Sequence, residues 1–324
     1  MTVSSPDWRQ LISKDEIREL RTQRDWRSWM SIAQDYSIIA SAMALVAVFP
    51  NLGTVLLALV LIGGRQLGFA VLSHEASHRT LFENRRLNDW AGNWLAAYPI
   101  FLCTDMYRPH HLDHHGKTWS ASDPDLPLAV GFPVSKASMT RKVLRDLSGI
   151  TGLKQLIGTS LFVYAAVTGV DQQSRPDPTR VSALPMRPDR ARAIKLLLGT
   201  LLTNGLLLAV LWALGHPALY LLWLGAWLTT HKLIVRIRSM AEHANVPEAR
   251  PDRPFGNTRT TLTRCWERLV FAPHHVGYHL EHHLVITVPH YNLPRFHRLL
   301  RERGALDGAC IAHGYGQVLR QMIA

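Results

Sequence analysis

Apolar positions fall along the chain in long uninterrupted blocks, each followed by a polar, basic stretch. From Tyr36 to Gly64 no Asp, Glu, Lys or Arg occurs, and Pro50-Asn51-Leu52-Gly53 divides the block in two. Crossing a bilayer takes roughly twenty helical residues. The block therefore reads as a helical hairpin, with one arm from about Trp29 and the other continuing through Arg65 to about Leu72. Arg65 would then lie in or near a span, which is costly unless it is paired or reaches the interface. A second uncharged block, Leu196 to Leu214, ends at Gly215-His216-Pro217. Another follows from Ala218 to about Val235, with His231 and Lys232 near its far end. These two make a second hairpin. The weaker run 156–170 is short for a span and carries several Gly, Ser and Thr residues. If it crossed, histidine-rich stretches on either side of it would lie on opposite faces, so it reads as interfacial or re-entrant.

The pattern predicts an all-α membrane protein with four transmembrane helices in two hairpins and a helical cap. As one domain over 1–324 it divides into a basic lead (1–28), hairpin one (29–72), cap (73–195), hairpin two (196–235) and further cap (236–324). Composition agrees: apolar residues make up 47% and charged residues 19% of the 324, below the usual charged share of about 25%. The net charge of +12 would suit nucleic acid, but no zinc-finger spacing or RNA-binding signature accompanies it. Lys and Arg avoid the two hairpin turns and concentrate in the lead, in 79–195 and in the C-terminal third. By the positive-inside rule both termini and the cap face the cytoplasm. Arg18, Arg21, Arg24 and Arg27, on a three-residue repeat, read as a solvated or membrane-surface helix face. The stretch 171–192 is a Pro/Arg-rich linker between the halves. The N-terminus lacks the apolar core of a signal peptide, so insertion would use internal segments. Cys103, Cys265 and Cys310 form no CxxC pair and suggest neither a disulfide framework nor a thiolate metal site.

Candidate chemistry gathers in three clusters at the edges of these blocks: His74-Glu-Ala-Ser-His78, His110-His111-Leu-Asp-His114-His115 and His279-Leu-Glu-His282-His283. Imidazole suits iron, zinc, copper or nickel rather than calcium or magnesium. Residues four apart share a helix face, so HxxxH offers two ligands. Each HxxHH offers a same-face pair with a third imidazole beside it. Eight histidines (His74, His78, His111, His114, His115, His279, His282, His283) exceed one ion's needs, so two metals are implied. His243, about one turn beyond the fourth span, is a ninth ligand candidate. The carboxylates Glu75, Asp113, Glu242 and Glu281 could fix tautomers by accepting a ligand's other N–H. His110 and His275 are further supporting candidates; His274 adjoins them. His216, His231, His290, His297 and His313 are scattered and stay outside the expected site. A metal transporter would place ligands near the bilayer midplane, whereas these boxes lie just beyond the spans.

HxxxH, HxxHH and HxxHH, in this order around two hairpins, resemble the membrane fatty acid desaturase superfamily over roughly residues 35–300. Gly277-Tyr-His-Leu-Glu-His-His283 and the following Pro289-His-Tyr-Asn-Leu-Pro294 are especially similar to its third box. The resemblance implies a non-haem centre of two iron ions with those eight histidines as ligands, joined by His243, which matches a ligand in some members. It further implies O2 as co-substrate, a membrane lipid as substrate, and a separate electron donor of ferredoxin, rubredoxin or cytochrome b5 type. Fatty-acyl desaturation, acyl-lipid or sphingolipid-like, is the expected reaction. A hydroxylase or ketolase acting on a carotenoid or other lipid is the alternative. Three departures stand out. The first box is HxxxH where many acyl-CoA desaturases have HxxxxH. No HPGG haem motif occurs. His274-His275 stands where several relatives carry Asn.

Overall fold

The computed structural model describes residues 8–169, 189–248 and 255–324. The Pro/Arg-rich linker lies outside them except for 189–192, where Asp189 caps the next helix by accepting from the Ala191 and Arg192 amides.

The first apolar block forms α1 (Asp25–Val48) and α2 (Leu52–His78), packed along each other. Asn51 starts α2 with a reciprocal cap: its side chain accepts from the Thr54 amide, and the Thr54 hydroxyl accepts from the Asn51 amide. Such a cap satisfies amides that have no partner within the helix. The second half of α2 is buried on nearly every side, and small residues make that possible. A Cβ on Gly68 would lie 2.4 Å from Asp35 Oδ2, and one on Gly64 would lie 3.0 Å from the Leu269 carbonyl. The expected cost of Arg65 is met inside the bundle. Its guanidinium is 2% exposed and pairs at 3.0 Å with Asp35, which is fully buried. It also donates to the carbonyls of Arg268 and Leu269.

Beyond α2 come α3 (Thr104–Lys117), α4 (Ile150–Thr168), α5 (Arg190–Ala213), α6 (Tyr220–Leu228) and α7 (Thr230–His243). A break at Thr229 separates α6 from α7. Five segments are long and apolar enough to cross a membrane: α1, α2, α4, α5 and Pro217–His243. By length and composition α4 joins the four expected spans as a candidate, because it starts at Ile150, earlier than the apolar run suggested. Its outer face exposes Leu153, Ile157, Leu161 and Tyr164, and α5 exposes Leu201, Leu202, Leu206 and Trp212. Apolar surface of that extent on consecutive turns is what lipid covers.

After α7 come β1 (Thr260–Leu262), α8 (Cys265–Val270), α9 (His279–Leu284), α10 (Leu293–Glu302) and β2 (Ile311–His313), with β1 and β2 paired in parallel. Arg259, 1% exposed, donates to the Ala244 and Asn245 carbonyls at 3.0 Å. It thereby holds the chain where α7 ends. As expected, Arg18, Arg21 and Arg24 of the lead are exposed, but they do not form a single helix face. A helix over Lys14–Leu20 ends before Arg24, so the arginine repeat does not lie on one helix. Glu16 and Glu19 pair with Arg303 and Arg295, which straps the lead to α10.

Candidate metal centre

Four elements bring the histidines together. The last turn of α2 carries His74 and His78, α3 carries His111, His114 and His115, α7 ends on His243, and α9 carries His279, His282 and His283. Their nitrogens form two groups, each with all ligand atoms within 4.8 Å of one another. The first is His74, His78, His111, His115 and His282; the second is His114, His243, His279 and His283. Helical periodicity explains the division. In each HxxHH the pair four apart shares a face and the middle histidine points aside. On α3 the pair, His111 and His115, goes to the first group and His114 to the second. On α9 the pair, His279 and His283, goes to the second and His282 to the first.

The ring nitrogens meet at hydrogen-bond distance. In the first group His111 Nε2 lies 2.9 Å from His78 Nε2 and 3.0 Å from His115 Nε2, which is 3.1 Å from His282 Nε2. In the second, His243 Nε2 lies 2.8 Å from His279 Nε2 and 3.2 Å from His114 Nε2. The His243 Nδ1 must be a donor, because its partner at 2.7 Å is the Asn257 carbonyl. His114 Nδ1 faces Asp123 at 2.8 Å, and His279 Nδ1 faces Glu242 at 3.3 Å. A neutral imidazole has one donor and one acceptor nitrogen, so the Nε2 atoms of His243 and His114, whose Nδ1 atoms face the Asn257 carbonyl and Asp123, present lone pairs to each other. Burial, reinforced by neighbouring imidazoles, holds His111, His279, His282 and His283 well below the ordinary histidine range, so they stay unprotonated. Converging neutral lone pairs repel unless a cation lies between them. The donor set therefore fits two imidazole-bound metal ions.

The other expected residues divide. Glu75 is buried beside the first group, 3.5 Å from His74 Nδ1, and accepts from the His290 amide at 2.9 Å. Glu242 faces His279. Glu281 instead binds His297 at 2.6 Å and Thr260 at 2.5 Å, tying α9 to α10 and β1. Asp113 turns to solvent and pairs with Lys117 at 2.9 Å. His110 binds Asp125 at 2.9 Å, and His275 stacks near His290, away from both groups. Sequence reasoning missed Asp123, the Asn257 carbonyl, and Tyr107, whose hydroxyl lies 3.0 Å from His111 Nδ1. Only the Asp-Pro-Asp run after the second box hinted at Asp123. Two histidines passed over as scattered also matter: His297 buttresses Glu281, and His290 lines a void of about 10 Å³. That void touches His74 and His282 of the first group and His279 of the second, with Val71, Val276 and Leu293 completing an apolar side.

The long apolar helices and the paired histidine groups fit a multi-pass membrane protein with a metal centre. The chain belongs to the fatty acid desaturase family, matching it over residues 47–314. It is similar to the dihydrorhizobitoxine desaturase of Bradyrhizobium elkanii, with 27% identity over 271 residues that cover 83% of this chain and 73% of that protein.

Proposed function

We propose that this protein is an O2-dependent di-iron desaturase that introduces a double bond into an apolar chain of a membrane lipid. The observation that carries this reading is the gathering of nine imidazoles into groups of five and four around a void that touches both. On this reading His74, His78, His111, His115 and His282 hold one iron, and His114, His243, His279 and His283 the other. With O2, two bound iron ions would supply the oxidising power toward an unactivated C–H bond that no side chain has. The chain's own residues do the rest. Asp123, Glu242 and the Asn257 carbonyl fix which nitrogen faces the metal. Val71, Val276 and Leu293 keep the void dry, and Glu75 and His290 form its polar wall. The name of the Bradyrhizobium relative favours desaturation over hydroxylation. Family membership points to a separate electron donor, of ferredoxin, rubredoxin or cytochrome b5 type.

The same geometry supports four crossings. Both groups mix residues from before α4 (His74, His111, His114) with residues after α7 (His279, His282). An odd number of crossings between them would put these on opposite faces of the bilayer. We therefore read α4 as lying along the interface, α1–α2 as one hairpin, α5 with the Pro217–His243 segment as the other, and the rest as one cap. The positive-inside pattern places that cap and both termini in the cytoplasm. The test is His111→Ala in protein purified with iron: we expect iron content to fall and O2-dependent double-bond formation in host lipids to vanish. Full iron and full activity would refute the assignment.

A further inference from the structure

A second cavity, of about 660 Å³, opens beside the histidine centre and carries charge that the oxidation chemistry does not use. Its size is that of a small-molecule site. Its walls include Trp26 and Arg27 from the first turn of α1, Arg268 from α8, and Tyr291; none of its lining residues is Asp or Glu. His274 and His290 line both this cavity and the inner void against the metal groups. Those two rings thus stand between the outer cavity and the inner void.

The arginines lining it are not equivalent. Arg65 is neutralised by Asp35, which also holds His274 Nε2 at 2.7 Å. Arg27 and Arg268 have no carboxylate partner among the described residues. The Arg27 guanidinium lies over the Trp26 and Tyr291 rings at 5.1 and 5.3 Å, and Arg268 donates to Cys265 Sγ at 3.3 Å. Burial first, then the neighbouring His274, Arg268 and Arg27, push His275 down to about 4. His290 is 4% exposed, and its Nδ1 has no hydrogen-bond partner among the described residues. His274 and His275 take left-handed backbone angles (φ 50° and 59°), which non-glycine residues rarely adopt. This holds the two rings at the cavity floor. Two unmatched guanidinium groups in a partly buried, carboxylate-free cavity favour an anion, which guanidinium binds through paired N–H donors.

Resting on the reading of the histidine centre as the oxidising site, we propose that Arg27 and Arg268 bind the acidic group, carboxylate or phosphate, of an amphiphilic substrate. Its apolar part runs past His274 and His290 toward the metals.

The test uses the full-length, iron-loaded protein in nanodiscs of zwitterionic lipid, with empty discs subtracted, and octanoate as probe against uncharged octanol. Wild type should bind octanoate more tightly than octanol. Arg27→Gln and Arg268→Gln should each weaken octanoate about tenfold or more, as loss of a charged hydrogen bond does, with octanol binding and iron content unchanged. Raised salt should weaken octanoate binding to the wild type itself, which keeps the test informative if a variant misfolds. Nanodiscs containing phosphatidylglycerol distinguish the sources. Competition with octanoate identifies a lipid head group, and lack of competition identifies a free acid. Equal octanoate and octanol affinities in the wild type, or an unchanged octanoate affinity in the double variant, would overturn the proposal. Absence of bound iron with octanoate binding intact would instead count against the oxidising centre alone.

Discussion

In the second histidine group, two of four imidazoles have the nitrogen remote from the metal position hydrogen-bonded, His114 to Asp123 and His243 to the Asn257 carbonyl, and Glu242 lies 3.3 Å from His279 Nδ1. In the first group, His74, His78, His115 and His282 have no protein hydrogen bond at Nδ1 among the described residues, and only His111 has one, with Tyr107. The difference follows from what carries each group. His74 and His78 end α2, a helix wedged against α1 and α8 through Gly68 and Gly64, so packing fixes them. The second group depends on the tip of α7 and the short α9, which need hydrogen bonds and the buried Arg259 to hold their direction. One centre is thus held by packing on one side and by polar contacts on the other.

This contrast is open to direct attack. The largest effect should come from removing a ligand: His111→Ala or His283→Ala should lower activity more than about a hundredfold, beyond the loss typical of a supporting residue, and iron analysis should show metal lost. Asp123→Asn should weaken metal binding by about 10–100-fold, with the loss confined to one of two ions in a chelator titration. Gly68→Ala should act on the packed side. Its Cβ would crowd the Asp35 carboxylate, and such overpacking costs about 1–3 kcal/mol, read as a lower unfolding midpoint. Tyr107→Phe should have the smallest effect, about 1 kcal/mol or less for one hydrogen bond, measured as a slight rise in the metal dissociation constant.

Much of the site was legible because helical spacing is a local property. HxxxH and HxxHH specify which imidazoles share a face, and those spacings brought out eight of the nine histidines that gather here. His243 was legible from its place after the last apolar block. The family resemblance was legible for the same reason. The supporting contacts were not, because they depend on how distant segments meet. Asp113 is adjacent to His114 in sequence, yet a step of about 100° per residue turns it to solvent, while Asp123 folds back from the following loop. Glu281 adjoins His282 but serves His297. Arg27 looked like part of a solvated repeat until α1 was seen to begin at Asp25, which places it in a cavity wall. For the fold, hydropathy located the long helices but ran short at α4, where Lys154 and several small residues dilute the apolar signal.

Metal analysis of the purified wild-type protein, prepared with iron and without chelators, tests the central claim most directly. The account predicts two iron ions per chain, falling by at least one in His283→Ala. One ion or none in the fully folded wild type, or two retained in that variant, would contradict it.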